Sequence, residues 1–250
     1  MKIRLLLLFL FLTCGAVFAQ NDSIRLMEYL PVGHTDSKPW IERYQNEINR
    51  YTDENRQSAD LNCDALFLGS SSIQKWDSIY WDLSPLKILR RSYGGASIRD
   101  MLYNYDVIAR GYRPKSIVLY VENDLCECPD EITEYETFDL IRIFTQRIRR
   151  DYPETPFFII SFKPSFAREK ALNKQKIVNY LLRSFAENTP NVYFIDITPG
   201  MYDSDGNLRK DIFLPDNLHI NRKGYAIWTS VIKPVLMEKL YPGADPSGRY

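Results

Sequence analysis

Net charge, histidine, cysteine and long apolar runs are all scarce in this chain, and each shortage excludes a class of function. Its 250 residues carry 32 lysines and arginines and 32 aspartates and glutamates. These balanced charges create no field that would attract nucleic acid, so no nucleic-acid partner is predicted. Only two histidines occur, His34 and His219, and no cysteines accompany them at the spacing of metal ligands. The sequence therefore predicts neither a metal site nor a cofactor.

Cysteine is nearly as rare as histidine. Cys14 lies in the N-terminal apolar segment, which leaves Cys63, Cys126 and Cys128 in the rest of the chain. Because that number is odd, at least one thiol is expected to be free or to pair between chains. Cys126 and Cys128 are separated by one residue, and we predict that this spacing disfavours a bridge between them.

Long apolar runs are confined to the N-terminus. Lys2 and Arg4 precede an apolar run over residues 5–12, and small residues follow up to Ala19. This is the pattern of a secretory signal peptide cut before Gln20. The run is shorter than the roughly 20 residues of a membrane-spanning helix, and no later segment qualifies. The sequence thus predicts an exported protein, periplasmic or extracellular.

Cys14 raises the question of whether the N-terminus is a lipoprotein signal. Leu12 and Thr13 before Cys14 fit a lipoprotein signal poorly, so lipid anchoring at Cys14 is the less favoured alternative.

The predicted organisation is a signal peptide at 1–19, an N-terminal arm and helix at 20–60, one main domain at 61–243 and a tail at 244–250. The N-terminal helix is predicted by four apolar residues at helical spacing: Ile41, Tyr44, Ile48 and Tyr51.

Short apolar runs and helical patterns alternate through the main domain. The runs cover residues 65–68, 88–89, 117–121, 157–160 and 192–195. They are continuous, as expected for strands of a parallel sheet that is covered on both faces. The helical faces between and after them are marked by Phe138, Ile141, Phe144 and Ile148; by Ile177, Leu181 and Phe185; and by Ile227, Val231 and Val235. The predicted fold is a three-layer α/β/α sandwich with a parallel, five-stranded sheet.

Ligands bind such folds in the loops that follow the carboxyl ends of the strands. The first of these loops holds Ser70, Ser71 and Ser72 directly after Gly69. A serine at a strand-to-helix turn lies near backbone N–H groups, which suits a nucleophile whose intermediate carries an oxyanion. A helix cap is the alternative interpretation, because serine is a favoured N-cap residue.

The next two loops are ambiguous when each is taken alone. Gly94 and Gly95 would let a backbone N–H approach a ligand closely, or simply make a tight turn. The side-chain amide of Asn123 is a candidate donor to an oxyanion, and Asp124 is a candidate to fix the loop. Asparagine and aspartate are also common turn residues.

The last loop places His219 three residues after Asp216, just ahead of the final helix. An aspartate at this distance can hold one imidazole nitrogen while the other nitrogen takes a proton from a serine. A structural histidine is the alternative. The position of His219 at the same predicted edge of the sheet as the serines favours the catalytic interpretation.

The four loops together resemble the SGNH hydrolase superfamily, also called GDSL-like lipases and esterases, over about residues 65–241. The segments LFLGSSSIQKW, YGG and FKPSFAR are similar to a secreted bacterial branch of that superfamily. The family's blocks match here at Gly69-Ser70-Ser71, Gly95, Asn123-Asp124 and Asp216-x-x-His219. The resemblance implies the flavodoxin-like SGNH hydrolase fold for residues 61–243.

The resemblance also implies the site. Ser71 is the expected nucleophile, with His219 and Asp216 completing a catalytic triad. The expected oxyanion hole consists of the backbone N–H groups of Ser71 and Gly95 and the side-chain amide of Asn123.

Two residues depart from the family pattern. Ser70 replaces an aspartate beside the nucleophile; that aspartate is outside the triad, so activity is expected to survive with altered local hydrogen bonding. Val121 stands where the third block has glycine. If that position needs a positive φ, a β-branched residue would be strained there and the loop with Asn123 would be shaped differently.

Two residues near these loops are candidates for substrate binding. Arg168 follows the fourth strand, with a solvated surface arginine as the alternative. Trp76 is a candidate to line the mouth of the site, or only to pack the first helix.

The resulting prediction is an exported serine esterase that hydrolyses small acyl esters, acetyl esters on carbohydrates in particular, through an acyl-enzyme. Two alternatives keep the same residues: an O-acyltransferase and a catalytically silent relative that binds glycans, the latter favoured if Val121 misplaces Asn123. A flavodoxin-like phosphate binder using the 69–72 loop is a third option, but it leaves Asp216 and His219 without a purpose. The sequence does not predict the oligomeric state.

Overall fold

Residues 42–58, 60–128 and 130–243 are described by a computed structural model of the chain. The predicted signal peptide, most of the predicted arm, Cys14, His34 and the tail at 244–250 lie outside these residues. Within the described ranges, no helix has both the length and the apolar character needed to cross a membrane. All elements named below belong to the unit formed by residues 44–250.

The centre of the fold is a five-stranded sheet in which every pairing is parallel. The strands are β1 Asn62–Gly69, β2 Ile88–Ser92, β3 Arg113–Tyr120, β4 Phe157–Ile160 and β5 Val192–Ile195. Their order is β2-β1-β3-β4-β5. Each strand covers most or all of a predicted apolar run, and the predicted fold class is confirmed. β1 and β3 begin earlier than predicted because Asn62 pairs with Arg113, outside the apolar runs.

Helices connect the strands. They are α1 Gln45–Gln57, α2 Ser71–Gln74, α3 Ile79–Asp82, α4 Ile98–Tyr103, α5 Tyr105–Ile108, α6 Glu134–Asp151, α7 Leu172–Glu187 and α8 Arg222–Leu240. Short 3₁₀ turns occur at Asn123–Leu125, Phe166–Ala171, Pro199–Met201 and Lys210–Ile212. The predicted N-terminal helix is present as α1, whose buried residues include Ile48 and Tyr51.

Alternate residues of the strands pack on opposite faces of the sheet. On one face, Phe67, Val118 and Phe158 share a buried cluster with Trp228 and Ile232 of α8. On the other face lie α4, α5, α6 and α7; there the ring of Phe157 is 6.2 Å from that of Phe144 in α6. Burial of both faces explains why the strands are continuous apolar runs.

The strand order creates a switch point between β1 and β3, because the chain leaves β1 toward one edge of the sheet and continues from β3 toward the other. Crevices at such points bind ligands in open α/β sheets. The loop after β1 begins at Ser70, and the loop after β3 begins at Val121. The predicted nucleophile turn and the predicted Asn123 loop therefore meet at the switch point.

Gly69 allows β1 and β3 to approach closely at this point. Its φ is +158°, and a Cβ atom added there would lie 2.2 Å from the carbonyl oxygen of Tyr120. That oxygen accepts a hydrogen bond from Ser70 N at 3.1 Å, so the backbone of β3 has no freedom to move aside. We expect Gly69→Ala to lower the free energy of unfolding by on the order of 3 kcal/mol, measured by urea denaturation.

Gly206→Ala is the matched control for this substitution. Gly206 also has a positive φ, +79°, but no atom lies within 4 Å of its added Cβ. It should show only the smaller cost of the backbone conformation. Equal losses of stability in the two variants would show that the contact with Tyr120 does not matter.

The cysteines correct one prediction. Cys126 and Cys128 form a disulfide, with their Cα atoms 5.2 Å apart, and Cys63 is free and buried. The prediction that the spacing disfavours a bridge was wrong because Glu127 adopts a left-handed conformation, with φ of 57°. This turn brings the flanking Cα atoms within the range of ordinary disulfides.

Candidate active site

Ser71 is the first residue of α2, immediately beyond the end of β1. The turn that presents it is anchored on both sides. Ser70 N donates to Tyr120 O at 3.1 Å, and the hydroxyl of Tyr225 in α8 donates to Ser72 O at 2.9 Å. Because β3 and α8 both hold this turn, the position of the Ser71 hydroxyl is determined by the core of the protein.

His219 bridges Ser71 and Asp216. Its Nε2 atom is 3.0 Å from Ser71 Oγ, and its Nδ1 atom is 2.6 Å from Asp216 Oδ2. The side chain of His219 is 14% exposed and that of Asp216 is 45% exposed, so the site is open to solvent on the aspartate side. With Nδ1–H donating to the carboxylate, Nε2 is an acceptor for the Ser71 proton.

The loop from Asp216 to His219 is stabilised by hydrogen bonds between its own backbone N–H groups and the Asp216 side chain. Asn217 adopts a left-handed conformation with φ of 56°, and Asp216 Oδ1 accepts hydrogen bonds from Leu218 N at 3.0 Å and His219 N at 2.9 Å. Beyond it, Asn221 accepts from Lys223 N and caps α8. The Asp-x-x-His spacing therefore makes a closed turn in which one carboxylate serves both backbone and imidazole.

These hydrogen bonds also keep Asp216 ionised. Burial alone would raise the pKa of Asp216, but the hydrogen bonds from the His219 side chain and from two backbone N–H groups outweigh it and lower the pKa to about 2. The carboxylate is thus charged at neutral pH. A charged partner favours the Nδ1–H tautomer of His219 and an imidazolium formed during reaction.

The predicted oxyanion donors lie on loops that are tied together. Gly95 has a φ of 78°, and its N–H, like that of Ser71, donates to no acceptor among the described residues. Asn123 Nδ2 donates to Ala96 O at 2.8 Å, which links the Asn123 loop to the Gly95 loop. One amide hydrogen of Asn123 is used in this link, and the other has no acceptor within the described part of the chain.

Asp124 forms the second link between these loops. It is buried, its Oδ2 accepts from Ile98 N at 2.7 Å, and its Oδ1 lies 3.4 Å from Arg99 Nε. Burial raises the pKa of Asp124 to about 6, with the Ile98 hydrogen bond and the Arg99 charge opposing it. The predicted loop-fixing role of Asp124 agrees with these contacts.

Val121, one of the two departures from the family pattern, is not strained. It is buried and does not have a positive φ. The glycine of the family's third block is therefore not required here by backbone conformation. The other departure, Ser70, is also buried, and its hydroxyl has no hydrogen-bond partner in the described ranges.

The two predicted substrate-binding residues are both buried. Trp76 has no exposed surface; its ring stacks on Tyr225 at 5.2 Å, and its Nε1 donates to Asp82 Oδ2 at 2.7 Å. It packs in the core and cannot line the mouth of the site. Arg168 is 7% exposed and is not a solvated surface arginine. Its contacts are with Glu122 and Asn123.

Sequence reasoning missed a buried ionic cluster beside the site. Glu122 Oε1 pairs with Lys163 Nζ at 2.6 Å and with Arg168 Nη1 at 3.2 Å. The available signal was that Glu122 and Lys163 each stand two or three residues beyond the end of a buried strand, β3 and β4. Both are buried in the structure, and buried charged side chains need partners.

No group of three or more potential metal ligands occurs among the described residues. The chemistry available is that of a serine activated by a histidine, beside backbone and side-chain N–H donors.

The contacts of Ser71, His219 and Asp216 on a parallel five-stranded sheet are typical of a serine hydrolase, and hydrolases are among the known proteins similar to this chain. The chain is 25% identical over 193 residues to the platelet-activating factor acetylhydrolase IB subunit alpha1 of Rattus norvegicus, covering 73% of this chain and 79% of the relative. Its fold matches a GDSL-like lipase of Bacteroides thetaiotaomicron, with a TM-score of 0.63 and 17% identity over 77% of this chain and 98% of the other. No family model matches the chain.

A third comparison adds an enzyme named for carbohydrate esters. A carbohydrate esterase family 3 structure from Talaromyces cellulolyticus matches with a TM-score of 0.58 and 14% identity, over 72% of this chain and 99% of the other. These comparisons confirm the predicted fold, and the similar proteins include a GDSL-like lipase and other ester hydrolases. The relative and the structures named here are hydrolases of esters, in agreement with the predicted enzyme class.

Proposed function

We propose that this protein is an exported serine esterase that hydrolyses short acyl esters, acetyl esters of carbohydrates in particular. The observation that carries the proposal is the contiguous hydrogen-bonded line from Ser71 Oγ through His219 to Asp216 Oδ2. Three residues from two distant parts of the chain meet in the geometry of an activated nucleophile. Export rests on the N-terminal signal pattern.

The mechanism follows from the positions of these atoms. His219 Nε2 accepts the proton of Ser71 Oγ as the hydroxyl attacks the ester carbonyl, and Asp216 stabilises the imidazolium that forms. The N–H groups of Ser71 and Gly95 and the free amide hydrogen of Asn123 stabilise the oxyanion. His219 then donates the proton to the leaving alcohol. A water molecule releases the acyl group by the same steps, with His219 again as the base.

The acetyl preference is supported by two of the similar proteins. The rat relative is an acetylhydrolase subunit, and a structure of similar fold is an acetyl esterase with an acetate ion. The carbohydrate part is supported by the fungal carbohydrate esterase. An alcohol group on a glycan is compatible with a site whose aspartate side faces solvent.

The proposal is tested with p-nitrophenyl esters from acetate to octanoate, followed by acetylated xylan and acetylated monosaccharides. We expect kcat/KM for the acetate to exceed that for the octanoate by at least about tenfold, because an acetyl-specific site would exclude longer chains. His219→Ala should lose this activity. A preference for octanoate would overturn the acetyl assignment, undiminished activity of His219→Ala would overturn the role of His219 as the base, and a wild type without hydrolysis would overturn the esterase assignment.

The same assay separates the alternatives with an added sugar acceptor. Transfer of acetate to the sugar in excess of release to water would identify an acyltransferase. The silent glycan-binding alternative was favoured by a misplaced Asn123, and Val121 gives no reason for one because its φ is not positive. Absence of hydrolysis in the wild type would restore it.

A further inference from the structure

The side-chain amide of Asn123 is held at both of its polar atoms. Nδ2 donates to Ala96 O at 2.8 Å, and Oδ1 accepts a hydrogen bond from Arg168 Nη2. Ala96 O can only accept a hydrogen bond, and the Arg168 guanidinium can only donate one. The amide must therefore turn Nδ2 toward Ala96 and Oδ1 toward Arg168. The remaining Nδ2 hydrogen is then aimed by these two contacts.

Arg168 comes from a segment that also contacts the triad loop. It lies in the 3₁₀ turn Phe166–Ala171, and the neighbouring Ala167 N donates to Asn217 O at 3.1 Å. Asn217 is the residue between Asp216 and Leu218. The segment therefore joins the loop that holds the base to the loop that holds the predicted oxyanion donor.

The guanidinium of Arg168 is itself fixed by Glu122. Nη1 is 3.2 Å from Glu122 Oε1 and 3.4 Å from Glu122 O, and Lys163 Nζ pairs with the same carboxylate oxygen. Burial acts to raise the pKa of Glu122, but the charges of Lys163 and Arg168 outweigh it and keep the pKa below its ordinary value. With Glu122 ionised, Nη1 of the planar guanidinium is fixed by Glu122, and Nη2 donates to Asn123 Oδ1.

We propose that Arg168 is a positioning residue that orients the Asn123 amide toward the oxyanion. Glu122 holds the guanidinium in place, and Lys163 pairs with Glu122. This inference rests on the proposed esterase function, because it is the oxyanion of an ester intermediate that Asn123 would meet. Direct contact of Arg168 with substrate is disfavoured by its burial, 7% exposed, and by the engagement of both terminal nitrogens.

A double-mutant cycle with p-nitrophenyl acetate tests the proposal. Asn123→Ala should lower kcat by roughly a hundredfold, as loss of one oxyanion donor does. Arg168→Met should lower kcat by about tenfold or more with KM changed less than about twofold, since the donor remains but is misoriented. In the Asn123→Ala background, Arg168→Met should cost less than about threefold, because the group it orients is gone.

Arg168→Lys separates orientation from charge. Lysine keeps a positive charge near Glu122 but lacks the fork, so kcat should stay close to that of Arg168→Met. Recovery of wild-type kcat in Arg168→Lys would show that charge alone matters. Arg183→Met is the matched control: Arg183 pairs with Asp196 on the surface, 49% exposed, and its loss should leave kcat unchanged.

A spectroscopic measurement keeps the proposal testable without turnover. The Asn123 side-chain amide gives a pair of ¹⁵N-resolved NMR resonances, which Asn123→Ala identifies by their loss. Arg168→Met should shift these resonances and speed their exchange with water, and Arg183→Met should not. Unchanged resonances, or equal losses of kcat from Arg168→Met in both backgrounds, would overturn the positioning role. Failure of the proposed function itself would appear separately, as a wild type without ester hydrolysis.

Discussion

Ser71→Ala is expected to reduce kcat for p-nitrophenyl acetate by roughly 10⁴- to 10⁶-fold, which is the scale of losing the nucleophile of a serine hydrolase. The structure places Ser71 Oγ 3.0 Å from His219 Nε2, so this hydroxyl alone is poised to transfer its proton to the imidazole. Alanine leaves the histidine without a nucleophile to activate. Steady-state kinetics, with a fluorophosphonate probe to label the active serine, measure the effect.

Ser70→Ala is the matched control, because three consecutive serines occupy this turn. Ser70 Oγ is buried and has no hydrogen-bond partner among the described residues. Removing a buried, unpaired hydroxyl should be close to neutral for stability and activity. If Ser70→Ala lost labelling by the probe and Ser71→Ala kept it, the assignment of the nucleophile would be wrong by one residue.

The sheet was predictable because its physical signal is local. Strands covered on both faces must be apolar at every position, and such runs are visible in one sequence. The helical face of α6 was placed correctly, because Ile141, Phe144 and Ile148 are fully buried, but the faces of the two later helices were not. In α7 the fully buried residues include Val178 and Leu182, one position beyond the predicted Ile177 and Leu181. The predicted stripe instead faces a neighbouring helix, where Phe185 contacts Phe138 of α6 at 6.0 Å.

The last helix repeats this offset. Trp228 and Ile232 are fully buried in α8, whereas the predicted Ile227 and Val231 pack at the edge of the same cluster. A helix that packs against a sheet and against other elements is apolar over more than one stripe. Periodicity therefore finds the helix, but the choice of the innermost stripe depends on the neighbouring elements.

The sequence likewise predicted the positions of some side chains in the site and not of others. Ser71 and His219, which the sequence placed at the same edge of the sheet from chain order and loop position, lie in contact in the structure, and their catalytic roles stay predictions. The position of Trp76 was not predicted, because an aromatic residue after a strand end is equally compatible with a wall or a core. The disulfide was missed because the left-handed turn at Glu127 is a backbone feature without a clear residue signal.

The buried ionic cluster beside the site depends on which strands are neighbours in the sheet. Glu122 lies 41 residues before Lys163 and 46 before Arg168 in the chain, so nothing local links it to them. Their meeting requires β3 and β4 to be neighbours, which the sheet order provides. Contacts between loops can be inferred only after the strands that carry the loops are in register.

Asp216→Asn is expected to lower kcat on the order of a thousandfold at neutral pH, with KM little changed. The reason lies in the two oxygens of the carboxylate. Oδ1 accepts from the N–H groups of Leu218 and His219, and Oδ2 accepts from His219 Nδ1. An asparagine must keep its oxygen toward the two backbone donors, which turns its NH₂ group toward Nδ1. His219 then has to accept at Nδ1 and carry its proton on Nε2, where it cannot take the proton of Ser71.

The expected loss is smaller than the roughly 10⁴-fold effect for a fully buried triad aspartate, because Asp216 is 45% exposed and water can partly replace it. Thermal unfolding should change little, since the two backbone hydrogen bonds survive in Asp216→Asn. Asp211→Asn is the matched control: Asp211 is 46% exposed and pairs with Arg209 and Lys223, and its loss should leave kcat near that of the wild type. A wild-type kcat in Asp216→Asn would mean that Asp216 only closes the loop and that His219 needs no partner to act as the base.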